Sequence, residues 1–445
     1  MRFAIIIGFL VVLLVAVGGF WLYLQTDDGG TRKVAKRISG GVAVTDTQKS
    51  STRQSTANQG SRKNATTKST GTRSGASRPP SGRRTPGEER FEPGEVLVVD
   101  PPRTFERDSA ALGYSVLERA NLQNLQMDMY RMAVPEGQGV LQSRDQLQAQ
   151  FPGIAGDANH HFETQAVNAG ATSKVRAEIG WVPAPSSCGT GVRMGMIDGG
   201  VDVRHPALAG QKVEYRSFHK KGRRPGPKDH GTAIAAMLVG KPADKAWGGL
   251  LPAAELYAAN MFEYAPKNQI VGSASGLLKA IDWLTGLDVH VINLSVAGPD
   301  NRLLRKAFGR AKGKGVAMVA AAGNWGRADK PAFPAAYDHV LAVTAISAKS
   351  RTIYKFANRG EYIDFAAPGV HIWTAVPGSG RFQSGTSMAA PYISAAVGLK
   401  VAAGSDRSPD SLRRILRKVV EDLGSPGNDK IFGRGLLKDE PGCAR

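Results

Sequence analysis

Cysteine is nearly absent from this chain: its 445 residues contain two, Cys188 and Cys443. That excludes a disulfide-dense scaffold and any site built from three or four thiolates. The pair forms one bridge in an oxidising compartment or stays as two free thiols. Both sit in irregular segments, where a buried free cysteine is less expected, and this favours the bridge. Aromatic residues are few, at 7%, and residues 29–90 have none. Acidic residues are outnumbered, 38 Asp and Glu against 58 Lys and Arg, for a net charge of +20. The excess is local, because residues 29–90 hold 14 Lys and Arg but 3 Asp and Glu. A nucleic-acid surface would need basic side chains on a folded module, or aromatics to stack bases, so no nucleic-acid partner is expected. Metal-like spacing is also missing. His205, His219, His290, His339 and His371 stand apart, and the adjacent His160 and His161 would point to opposite faces of an extended segment.

What is present begins with one long apolar run, residues 3–24. At about 1.5 Å per residue, a helix of that length spans about 33 Å, enough for a bilayer core. It ends in Phe20-Trp21-Leu22-Tyr23-Leu24, and Trp and Tyr favour a membrane interface. The segment 1–24 reads as a signal anchor, with the remainder in the periplasm or extracellular space. A cleaved signal peptide and a secreted protein are the other reading. Arg2 lies on one side, Arg32, Lys33, Lys36 and Arg37 on the other, so charge alone does not fix the topology. Residues 25–90 are rich in Ser, Thr, Gly and Arg and poor in large apolar side chains. They cannot bury enough surface to offset their ordering entropy and read as a flexible tether. Binding to anionic lipid, an envelope polymer or an acidic partner is the sharper alternative.

From Glu95 the pattern becomes globular. Residues 96–99 read as a strand, 104–112 as a short helix, and 114–116 and 125–134 as strands. Residues 143–150 read as a second helix with Ser143 as its N-cap, and a last extended segment ends near Phe162. The order is β-α-β-β-α-β, a split βαβ arrangement of the ferredoxin-like kind. Further on, strand and helix signals alternate, as in parallel α/β folds. Strands are expected at 192–197, 255–260, 289–295, 316–321 and 340–344. Helices are expected at 232–239, 274–285, 303–312, 387–402 and 409–420, with Pro391 near the start of its helix.

Chemistry concentrates in a few motifs. Gly385-Thr386-Ser387-Met388-Ala389-Ala390-Pro391 sets a serine between a turn and a run of small residues. A serine attacks a carbonyl well only when a base takes its proton and a third group orients that base. His230 opens His230-Gly231-Thr232-Ala233, and Asp198 ends the apolar strand Met194-Gly195-Met196-Ile197-Asp198. Asn324, in Ala322-Gly323-Asn324-Trp325, offers an amide donor. Alone, each motif reads as a turn, a cap or a helix start. Together, and in the order Asp, His, Ser, they gain weight.

Residues from about 190 to 437 resemble the catalytic domain of subtilisin-like serine proteases, with Val291-Ile292-Asn293-Leu294-Ser295-Val296-Ala297-Gly298-Pro299 as a further matching motif. The resemblance implies an α/β three-layer fold around a mainly parallel sheet. It implies a serine endopeptidase in which Ser387 attacks, His230 carries the proton, Asp198 holds the histidine and Asn324 binds the oxyanion. Ser295, Val296, Ala297 and Gly323 would line the substrate strand, which pairs with extended polypeptide. The domain at 91–162 resembles the family's propeptide, an intramolecular inhibitor until cut away; a permanent scaffold is the alternative. Residues 163–187 would be the processing segment and 188–445 the catalytic domain, closed by the Cys188–Cys443 bridge if it forms. A catalytically silent, membrane-anchored binding or regulatory protein on the same fold is the rival function.

Departures from the family carry expectations too. Ala297 and Ala335 stand where relatives usually have Gly. Their methyls would narrow the pocket before the scissile bond toward small or medium apolar residues, unless backbone shifts absorb them. Gly199 replaces the usual Ser or Thr beside the catalytic Asp. Ala207 replaces an Asp calcium ligand, and the loop Lys241-Pro242-Ala243-Asp244-Lys245-Ala246-Trp247 carries two lysines where ligands would be. The usual calcium site is therefore expected to be lost, and no cofactor is expected.

Overall fold

The computed structural model describes residues 90–164, 167–168, 184–241, 248–438 and Cys443. All of them fall in one compact unit, Pro79–Arg445. The apolar run at 3–24, the basic tether and much of the processing segment lie outside the described residues. Among the described residues no helix is long and apolar enough to cross a membrane.

The first part comprises β1 (Phe91–Val99), α1 (Phe105–Ala110), β2 (Ser115–Leu122), β3 (Met127–Ala133), α2 (Val140–Gln150) and β4 (Ala155–Thr164), followed by the short β5 (Val167–Asn168). The second part comprises β6 (Arg193–Asp198), β7 (Val213–Ser217), β8 (Arg224–Pro225), α3 (Asp229–Val239), β9 (Glu255–Asn260), β10 (Phe262–Ala265), β11 (Gln269–Ser273), α4 (Ala274–Thr285), β12 (Val291–Leu294) and β13 (Val296–Ala297). It continues with α5 (Arg302–Gly313), β14 (Ala317–Ala321), β15 (Leu341–Ile346), β16 (Phe365–Pro368), β17 (Ile372–Val376), β18 (Ser379–Ser384), α6 (Thr386–Ala402), α7 (Pro409–Leu416), β19 (Val420–Glu421) and β20 (Leu436–Leu437).

Nine strands form the central sheet in the order β19-β20-β16-β15-β14-β12-β6-β9-β7. From β20 to β7 every pairing is parallel. Parallel strands are covered on both faces, which is why these segments read as near-continuous apolar runs. Alternate residues serve opposite cores. Met194, Met196, Val291 and Val319 join the core formed with α3, α6 and α7. Ile197, Ile292, Leu294 and Met318 join the core formed with α4 and α5. The result is a three-layer α/β domain.

The N-terminal part obeys the same two-sided logic. Its sheet runs β2-β3-β1-β4 and is antiparallel. Val96 and Val98 of β1 pack with Phe105, Met132, Val140 and Leu147 in a small core of their own. Leu97 and Val99, with Leu125, Met127 and Met129, instead join the core that includes α4 and α5. Polar contacts reinforce the junction. Glu92 pairs with Arg223 at 2.6 Å and with His161 at 2.8 Å, and Arg223 also reaches Glu263 at 2.6 Å. Burial pushes Glu92 up, yet hydrogen bonds from His161 and Arg223 outweigh it and hold the carboxyl well below its usual range. Its contribution is thus present above the ordinary carboxylate pKa and fades only as the pH falls through the depressed value. His160 faces the other way, 2.9 Å from the Asn301 side chain, as the period of a strand requires.

Several boundaries differ from expectation. β2 extends to Leu122 with alternate residues exposed, a polar outer strand that hydrophobicity alone does not reveal. α2 starts at Val140 after Gly139, and Ser143 is buried inside it rather than capping it. α3 starts at Asp229, so His230 is in its first turn. α7 stops at Leu416. Pro391 is inside α6, where it removes the i→i−4 bond from that position. β4 runs to Thr164, two residues past the expected domain edge.

Cys188 and Cys443 are bonded, with Cα atoms 5.1 Å apart. The bridge ties the segment before β6 to the far end of the chain, a sequence separation of 255. Replacing both by serine is expected to lower stability by about 2–4 kcal/mol. Thermal denaturation would show it as a lower Tm, and an unchanged Tm would contradict it.

Candidate active site

Asp198 ends β6, between β12 and β9, at the carboxyl rim of the parallel sheet. Side chains of such rims converge where loops leave the strands. α3 brings His230 to that rim because Gly231 lets the helix touch the Asp198–Gly200 turn. A Cβ on Gly231 would lie 2.5 Å from the carbonyl oxygens of both Gly199 and Gly200. Ser387 comes from the second position of α6, whose small residues bury it against the sheet.

The three side chains form one line. His230 Nδ1 is 2.6 Å from Asp198 Oδ1, and His230 Nε2 is 3.0 Å from Ser387 Oγ. Asp198 and Ser387 are fully buried, and His230 is 9% exposed. A buried carboxylate on Nδ1 favours the tautomer whose Nε2 lone pair faces the hydroxyl. Asp198 Oδ1 also accepts from the Gly199 N–H at 2.5 Å. Its other oxygen, Oδ2, has no hydrogen-bond partner among the described residues. Gly199, with no hydroxyl to offer, lies directly beside it. A Cβ there would stand 3.0 Å from the Pro227 carbonyl oxygen, so the turn leaves little room for a side chain.

Asn324 follows β14 and is tied to the serine helix: its Oδ1 accepts from the Thr386 N–H at 3.1 Å. That bond orients the side-chain amide, whose NH2 group is a donor. Gly323 adopts φ 98°, and a Cβ on it would meet Asn358 Nδ2 at 2.6 Å. The Gly323 N–H donates to Thr386 Oγ1 at 3.2 Å. Asn358, fully buried, accepts from the N–H groups of Trp325 at 3.0 Å and Arg327 at 3.3 Å. Tyr362 donates to the Ala322 carbonyl at 2.7 Å. Burial pushes its hydroxyl up to about 12, so it stays a donor at neutral pH. Asn358 and Tyr362 carry no motif of their own; they support the loop from 34 and 38 positions further along the chain.

Of the expected substrate-strand residues, Ser295 is fully buried and accepts from Asn293 Nδ2 at 3.0 Å. Val296 and Ala297 form β13 and pair antiparallel with Thr164 and Glu163 of β4. Ala335 is buried with Val296 in the same core as α4 and α5. A second wall carries no sequence motif. β11 pairs with β4 through Gly272 and Phe162, and Ser273 and His161. A third edge, β18, pairs with β5 through Ser384 and Val167, and Gln383 and Asn168. Beside His230 lies a cleft of about 440 Å³, bordered by Gly199, Pro227, Phe262, Arg381 and Glu163.

A hydroxyl backed by a histidine on a buried carboxylate is the apparatus of a serine hydrolase. Comparison with known proteins narrows the class. The subtilase family matches residues 189–435, and the chain belongs to that family, among the subtilisin-like serine endopeptidases. The minor extracellular protease Epr of Bacillus subtilis is 31% identical over 255 residues, 56% of this chain and 38% of that protein. This chain therefore spans well under half of that relative. Subtilisin DY of Bacillus licheniformis is 30% identical over 270 residues, 58% of this chain and 93% of that protein. In fold, the chain is similar to fervidolysin of Fervidobacterium pennivorans, with a TM-score of 0.65 at 21% identity over 80% of this chain and 61% of that one.

Two substitutions test the geometry. Asn324→Ala is expected to lower kcat by about 10²–10³ with little change in KM, the magnitude known for such a donor in subtilisin itself; an unchanged kcat would exclude the role. Gly231→Ala forces α3 away from the Asp198 turn. It is expected to cost about 1–3 kcal/mol of stability and to lower kcat at temperatures where the chain is still folded. Full activity in a folded Gly231→Ala protein would contradict the contact.

Proposed function

We propose that the protein is a self-processing endopeptidase in which Ser387, His230 and Asp198 act as a catalytic triad. The observation that carries this reading is the 2.6 Å and 3.0 Å alignment of His230 between carboxylate and hydroxyl. Ser387 Oγ attacks the scissile carbonyl as His230 Nε2 takes its proton. Asp198 stabilises the imidazolium that forms. The Asn324 NH2 group and the Ser387 N–H bind the developing oxyanion. His230 then returns the proton to the leaving amine, and water repeats the cycle to free the acyl group.

The substrate is an extended polypeptide that adds a strand to β13. Ala297 and Ala335 favour a small or medium apolar residue before the cut. The part from β1 to β4 is the intramolecular inhibitor, because its last strand lies along that edge. The apolar run at 3–24 anchors the protein, with the catalytic part in the periplasm or outside the cell. No calcium is needed at the position of Ala207, whose methyl is fully buried in an apolar core and which offers no side-chain oxygen.

Hydrolysis of a denatured protein by the purified enzyme, lost at least about 10⁴-fold in Ser387→Ala, is the expected outcome. Equal hydrolysis by both proteins would refute the assignment. A calcium chelator is expected to leave the Tm unchanged, and a marked fall would show a calcium site that Ala207 does not preclude.

A further inference from the structure

The hairpin of β17 and β18 leads into the serine helix, and two of its side chains hold unused donors. Arg381 and Gln383 precede Ser387 by six and four positions. They are two apart on β18 and so share one face of the strand. Phe382, between them, takes the other face, its ring centroid 4.7 Å from that of Trp373. Arg381 and Gln383 both border the cleft of about 440 Å³ beside His230. Arg381 Nε and Gln383 Nε2 are buried and have no hydrogen-bond partner among the described residues. Gln383 as a whole is 3% exposed. A buried donor left unpaired is costly, and two of them on one wall of a cleft call for an acceptor.

This wall is fixed relative to His230. Thr374, opposite Arg381 in the register, donates its hydroxyl to the Ala233 carbonyl of α3 at 2.8 Å. His205 Nε2 lies 3.0 Å from the Ser379 carbonyl oxygen at the start of β18. Since α3 also carries His230, hairpin and imidazole are held as one piece. The course of the chain gives the wall its side. β4 runs antiparallel to β13, and β5, further along, pairs antiparallel with β18 through Ser384 and Gln383. A polypeptide following that course has its acyl part on β13 and its leaving part on β18.

We infer that Arg381 and Gln383 form a carboxylate subsite on the leaving side of the cleft, selecting polypeptides with an acidic group in the first few residues after the cut. This rests on the protease reading above and deepens it. A planar guanidinium matches a carboxylate with parallel N–H groups, and charge makes such bonds roughly twice as strong as neutral ones. The Gln383 amide adds a donor from the same face. Asp229 already takes Arg381 Nη2 at 3.0 Å. The two side chains are 39% and 47% exposed, so solvent screens the pair and it holds Arg381 only weakly. Nε stays available to a second carboxylate, whereas a basic side chain there would face the guanidinium.

The test uses the full chain under the conditions in which it hydrolyses denatured protein. Peptides blocked at both ends are compared in pairs, with Glu or Gln at each of the first four positions after the cut, which mass spectrometry locates. At one position or more, Glu is expected to raise kcat/KM at least about tenfold over Gln. That ratio should fall to about one in Arg381→Gln. It should rise in Asp229→Asn, which removes the competing carboxylate. Each ratio is taken within one protein, so a general loss of activity does not imitate either change. Short peptides with free or amidated ends form a second arm. A preference confined to free ends, and lost in Arg381→Gln, assigns the subsite to a terminal carboxylate instead of a side chain. Equal cutting throughout, a preference for Lys, or a ratio unmoved by both variants overturns the inference, while hydrolysis of denatured protein keeps the protease reading standing. If denatured protein is not cut either, both fall.

Discussion

The hydrogen bonds of His230 in two opposite directions are the constraint on which the remaining structure depends. One ring must meet a carboxylate and a hydroxyl that are distant in sequence, 32 residues before it and 157 after. A parallel sheet solves this, because its strands all deliver their carboxyl ends to one rim. β6 brings the aspartate and β14 the loop of Asn324, while α3 and α6 point their first turns at the same place. The glycines at the contact follow from this demand. Gly231 lets a helix touch a turn, and Gly323 turns the loop that carries Asn324 at φ 98°.

The N-terminal part shares the enzyme's core as well as touching its cleft. Its sheet covers α4 and α5 with one face, and only the other face has a core of its own. Leu97 and Val99 would be exposed if the part left, along with the carboxylates that Arg223 and Lys220 neutralise. Cutting the covalent link would therefore not by itself release the N-terminal part. The apolar face and the ion network hold it, and Glu92, kept well below its usual range, does not yield to mild acid.

Much of this was legible in the sequence for identifiable reasons. The Asp198, His230 and Ser387 motifs stand out because a carboxylate, an imidazole and a hydroxyl meet there among small residues that let elements approach closely. The central strands stand out because both of their faces are buried. The cleft walls were less legible. β11 and β18 are short, Ile270 is 41% exposed, and neither segment has an apolar period of its own. They are strands because each pairs with its neighbour in the chain, β11 with β10 and β18 with β17. The second half of β2 escapes the hydrophobic pattern because its exposed positions are mostly polar. Ser143 resembled a cap, yet Gly139 opens the helix, and the serine is buried within it. Asn358 and Tyr362 hold the Asn324 loop from a sequence distance that no local pattern encodes.

The central claim is that Ser387 alone is made nucleophilic, through His230. Reaction with a fluorophosphonate, followed by proteolytic mapping of the adduct, addresses it directly. One adduct per chain on Ser387, absent when His230 is replaced by alanine, is the predicted result. An adduct on another residue, or none from a protein that still hydrolyses polypeptides, would contradict it.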